Sequence, residues 1–203
     1  VEYTERAGAL LQELQAERAL LALSISQPEQ VSQDQLNLQY AETDTAIQSF
    51  VNFADDNRSV FGSEGEELIE HLIEDVTADE IPGVRAAAAS GTLTIDQLMR
   101  DYEDTTSEIL ESVALAPRAV NDAQVSAYLD SYLNLLEAAE GMSRSRALLV
   151  DVFARDEFAA GQAAQLQALV VNMEDDLAEF QRGAHPSVAR LAAEITNNPA
   201  LND

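Results

Sequence analysis

The chain has 203 residues, 46% of them hydrophobic and 24% charged, with a formal net charge of −26. That length supports one sizeable core or two small bundles, and the balance of apolar and charged residues excludes a largely disordered chain. The charge makes nucleic acid and anionic membranes poor partners, and the absence of cysteine excludes disulfides, thiolate catalysis and Cys-based metal sites. Alanine, leucine and glutamate are the commonest residues, aromatic residues make up only 5%, and all eleven Lys and Arg positions are arginine. This is a helix-forming composition. No apolar run approaches the roughly 20 residues that span a bilayer. The chain starts at Val1, without an initiator Met or a signal peptide, which suggests a piece of a longer or processed protein.

The first predicted helix runs from about Tyr3 to Ser26, with Ala7, Leu10, Leu14, Leu21 and Ile25 as its apolar stripe. Ser32 and Asp34 open a second, ending near Asp55. A loop containing Gly62 and Gly65 leads to a third helix at Glu66–Val76. A small helix covers Ile81–Ser90 and stops at Gly91. Thr94 is the expected N-cap of the next, which runs to about Ala114. Asn121 or Asp122 caps the longest, which continues to about Ala154 through Leu129, Leu136, Met142, Leu149 and Phe153. A turn at Asp156–Gly161 precedes a helix at Gln162–Gln181. Pro186 starts a last short helix to about Ile195. Prolines fall between periodic segments, and only Gly8 and Gly141 sit inside helical patterns. The expected fold is all-α: antiparallel helical bundles, two stacked four-helix bundles sharing the helices 3–26 and 122–154, within one domain of residues 1–203.

Two arginines interrupt apolar stripes. Leu14 and Leu21 flank Arg18, and Met142 and Leu149 flank Arg146 at the same spacings, so both are predicted to point inward. A buried guanidinium needs a partner. One reading is an internal salt bridge to Glu13, Glu17 or Glu140. The other is a clamp in which Arg18 and Arg146 grip a small planar oxyanion bidentately. Arg144 reads as a surface partner of Glu140. His71, among Glu67, Glu70, Glu74 and Asp75, reads as a solvated helix face. The run Asp55, Asn57, Ser59 and Glu66 lacks the glycine of a calcium loop, with Val60 in its place. No metal site, cofactor or catalytic constellation is expected, and the chain is not read as an enzyme.

The segment Leu11-Gln12-Glu13-Leu14-Gln15-Ala16-Glu17-Arg18 resembles the start of the nitrate- and nitrite-sensing domain family of bacteria. Leu136 to Glu140, followed by Ser143-Arg144-Ser145-Arg146-Ala147-Leu148-Leu149, is similar to that family's later stretch. Phe180, Ala184 and Pro186 resemble its close. Ala19-Leu20-Leu21 stand where the family often has Gly and then Ser. The resemblance covers nearly the whole chain. It implies a two-bundle helical sensor in which an arginine of the first helix and one of a later helix bind the oxyanion; Arg18 and Arg146 match those positions.

The sequence therefore reads as the extracytoplasmic input domain of a membrane-anchored bacterial receptor, such as an actinobacterial histidine kinase. Nitrate or nitrite would be the ligand, a homodimer the assembly, and nucleic acid no partner. The alternative is a helical structural, dimerisation or protein-interaction module that binds no ligand.

Overall fold

The computed structural model describes residues 2–57, 62–116, 122–184 and 188. Among these there are seven α-helices, one short 3-10 turn and no strand. The helices are α1 (Glu2–Ser26), α2 (Gln33–Asn57), α3 (Gly62–Thr77), α4 (Glu80–Ala89), α5 (Ile95–Leu115), α6 (Ala123–Arg155) and α7 (Gln162–Gly183). The all-α expectation holds. The final helix proposed from Pro186, together with His185, lies outside the described residues.

Local chemistry sets the boundaries. The Ser32 hydroxyl accepts from the Gln35 amide, while the Gln35 side chain accepts from the Ser32 amide, a reciprocal cap that starts α2. Thr94 and Gln97 repeat the device at α5. Asp122 caps α6 by accepting from the Gln124 and Val125 amides. Gly91, at φ +69°, closes α4 in a Schellman arrangement, with the Thr92 amide reaching back to the Ala87 carbonyl. One boundary departs from expectation: α3 starts at Gly62 rather than Glu66. Glycine is tolerated in a first turn, where the amides lack intrahelical partners anyway, and Gly65 is buried there.

Cross-helix contacts define the directions. Arg6 bonds Ser49 and Glu13 bonds Gln39, so α2 runs antiparallel to α1. Glu17 meets Tyr102, Glu140 meets Thr106 and Arg144 meets Glu103, so α5 packs on α1 and runs antiparallel to α6. Gly8 lies on Tyr132 and Arg18 on Glu140, so α1 and α6 run parallel. A Cβ at Gly8 would fall 2.2 Å from the Tyr132 hydroxyl, which explains glycine inside α1. Ser131 donates to the Phe180 carbonyl, pinning α7 antiparallel along α6. The core gathers Leu10, Leu14, Leu21, Phe50, Leu72, Ile81, Leu98, Tyr102 and Ile109 around α1 and α5.

Candidate functional site

Arg18 is the largest fully buried side chain, at 0% exposure, so its inward direction is as expected. Its two terminal nitrogens donate to Glu140 at 2.7 and 3.0 Å, the parallel two-bond geometry that suits a guanidinium to a planar anion. Gln15 and Thr106 also donate to Glu140, at 3.0 and 3.1 Å. Of the three candidate acids, Glu140 is thus the partner. Glu13 accepts from Gln39 instead.

Glu17, fully buried, belongs to a second pair. It accepts two bonds from Arg85 at 2.8 Å each, and a third from the Tyr102 hydroxyl at 2.8 Å. Arg85 also holds Asp44 and lies 4.7 Å from the centroid of the Tyr40 ring. Burial pulls on the Arg85 proton, but bonds to Glu17 and Asp44 win and hold its pKa above the ordinary value. Burial, and then the charge on Glu17, push the Tyr102 hydroxyl well up, so Tyr102 stays a donor. Arg85 escaped the sequence reading because nothing in its alanine-rich surroundings on α4 marks a long-range partner.

The expectation for Arg146 needs correction: it is exposed and does not point into the core. Met142, one of its supposed core neighbours, is 55% exposed, and Phe153 is 74% exposed. The buried face of α6 instead carries Leu136, Glu140, Ser143, Ala147 and Asp151. Three polar residues in that stripe shift the apparent apolar phase. Arg144 is also corrected: it pairs with Glu103 of α5 at 2.6 Å, not with Glu140. Arg18 and Arg146 therefore do not converge inside the bundle.

Two features remain open on this seam. The Nε of Arg18, the Oγ of Ser143 and the Nε of Arg144 are buried without a hydrogen-bond partner. Such orphan groups are rare in native cores. Arg146, spaced seven and eleven residues after Ala139 and Leu135, shares their helix face. Those two residues line a groove of about 440 Å³ between α1 and α6, with Gln12 and Gln15 opposite.

On the far side of α5, His71 and Asp75 of α3 meet Glu108. His71 is exposed, as expected, but Asp75 is buried and not part of a solvated face. Burial, then the charge on Glu108, raise the Asp75 carboxyl to about 6 from its ordinary 3.8. Asp55 and Asn57 fall within α2 rather than in a loop; Ser59 and Val60 lie outside the described residues.

As a class, this is an all-α bundle whose polar chemistry sits in buried ion pairs between helices. The chain belongs to the nitrate and nitrite sensing family, whose model matches residues 9–203. Membership makes it a sensing domain and not an enzyme. The fold matches a solved structure described as that of the NasR transcription antiterminator, with a TM-score of 0.89 at 18% identity, covering 95% of this chain. The match spans 52% of the other chain, so this chain corresponds to about half of that protein. No curated protein matches the sequence.

Proposed function

We propose that the domain senses a small planar oxyanion, of the nitrate and nitrite class, at the seam of α1 and α6. Arg18 is the anchor, and the second cation comes from the Ser143–Arg146 segment. The observation that carries this reading is the state of Arg18: a carboxylate already grips two of its nitrogens, while the third, Nε, stays buried without an acceptor. Glu140 offers the same planar pair of oxygens that nitrite or nitrate would offer. An entering anion exchanges with Glu140, or takes Nε beside it, and so changes how α1 holds α6. Ligand control follows only if the two packings differ in affinity.

Two arginines are the candidates for that second cation. Arg146 holds the family position and shares the groove-lining face, and Arg144 carries an unsatisfied buried Nε. Thermal unfolding with nitrate, nitrite, sulfate and acetate separates them, because a ligand of the folded state raises the midpoint by mass action. A shift lost in Arg146→Ala but kept in Arg144→Ala assigns Arg146; the reverse assigns Arg144. If no anion shifts the wild-type midpoint, the oxyanion reading falls.

The second reading is the module without a ligand, favoured by the complete charge neutralisation of Arg18 in the structure. Here the Arg18–Glu140 pair only fixes the register of α1 against α6.

The expected setting is the extracytoplasmic part of a membrane-anchored receptor, working as a homodimer and passing the α1–α6 change to an output segment. Family membership supports a sensory role, and the half-length match to the antiterminator supports a module joined to further chain. No described helix is long and apolar enough to cross a membrane. Sedimentation of the domain with and without nitrate tests the dimer: a single monomeric species under both conditions excludes it.

A further inference from the structure

We propose that His71, Asp75 and Glu108 form a binding site for one divalent transition-metal ion of the zinc type, between α3 and α5. His71 and Asp75 are four residues apart, so they share one face of α3. Glu108 comes to them from α5. The His71 Nδ1 lies 2.9 Å from Glu108 Oε1 and 3.6 Å from Asp75 Oδ2. All three ligand atoms fall within 4.8 Å of one another. Around a tetrahedral zinc with bonds of about 2.0–2.1 Å, adjacent ligand atoms stand roughly 3.3 Å apart, so small rotamer changes suffice.

Charge balance provides an independent reason. The Asp75 side chain is only 7% exposed, and among the described residues it has no ion-pair partner besides His71. Glu108, 23% exposed, likewise pairs only with His71. A buried carboxylate without a fixed counter-charge is costly, and among the described residues the other buried acids, Glu17, Glu140 and Asp151, each face an arginine. A divalent cation would neutralise both carboxylates at once. His71 is 63% exposed, which leaves an entry path and an open fourth position for water. One imidazole nitrogen with two carboxylates suits zinc and its neighbours, whereas calcium takes six to eight oxygens. Glu74 and Asp79 add local negative potential.

Calorimetric titration of EDTA-treated domain with zinc chloride tests the site, with the visible absorption of bound cobalt reporting geometry. Wild type is expected to bind one equivalent of zinc and to unfold at a higher temperature with it. His71→Ala, on an exposed position, is expected to keep the fold and weaken binding by about tenfold or more. Asp75→Asn, which keeps the side-chain shape, is expected to do the same. Glu70→Gln, outside the triad on the same helix, is expected to bind as wild type. Zinc uptake that is weak and multi-site, or equal in His71→Ala, overturns the proposal. The outcome is independent of whether nitrate binds at Arg18.

Discussion

Two buried carboxylate clusters in this small domain solve the same electrostatic problem differently. Around α1, Glu17 and Glu140 each meet an arginine in two parallel hydrogen bonds, with Tyr102, Gln15 and Thr106 supplying further donors. Between α3 and α5, Asp75 meets Glu108, and among the described residues the only cation paired with them is the exposed His71. The first cluster carries its own counter-charges, Arg18 for Glu140 and Arg85 for Glu17. The second depends on what solution supplies, a proton or an ion. A chain of net charge −26 with eleven arginines cannot pair every acid; Arg18 and Arg85 serve the buried acids Glu140 and Glu17, while Arg6 and Arg182 sit in exposed pairs within one helix.

The comparison breaks most readily at Glu140. Removing it in Glu140→Ala leaves the Arg18 guanidinium buried and unpaired, with an expected loss of about 3–5 kcal/mol in urea denaturation. A loss under about 1 kcal/mol would mean that water or Glu17 rescues Arg18, and that the first cluster is less closed than its geometry. Next in size is Tyr102→Phe, which removes one donor from a carboxylate that keeps its arginine. About 1–3 kcal/mol is expected, since the bond is to a charged group.

The α3–α5 cluster should make stability depend on pH. Folding holds the Asp75 proton more tightly, raising its pKa from 3.8 to about 6. The metal-free protein therefore loses stability as pH climbs between those values. His71, raised above 6.5 by its hydrogen bond to Glu108, contributes stability below 6.5 that disappears as pH passes its folded value. Both effects run in the same direction. Asp75→Asn should flatten the decline and stabilise the metal-free domain at pH 8 by roughly 1 kcal/mol, as read from unfolding midpoints across pH. An unchanged pH profile in that variant would show that Asp75 is not the group responsible.

The smallest stability effect is expected at Arg146. On an exposed position, Arg146→Ala should stay within about 0.5 kcal/mol of wild type. Any loss of an anion-induced shift in that variant is then a binding effect, separate from the large structural cost at Glu140.

Much of this architecture is legible residue by residue. Thr94 and Asp122 mark helix starts because a cap needs only its own next three residues. Gly91 marks a stop because a left-handed φ suits it. Arg18 reads as buried because the α1 stripe around it is apolar, with Leu14 and Leu21 on either side. The same logic misplaces Arg146. The core face of α6 contains Glu140, Ser143 and Asp151, and a stripe built partly of polar residues gives an apolar count the wrong phase.

Local sequence thus determined the helices, most of their ends, the acidic surface and the inward direction of Arg18. Tertiary structure alone decided the partners: Glu140 for Arg18, Arg85 for Glu17, Glu108 for His71. Each pairing joins residues far apart in the chain, and periodicity within a helix says which face a residue takes but not which other helix will meet it.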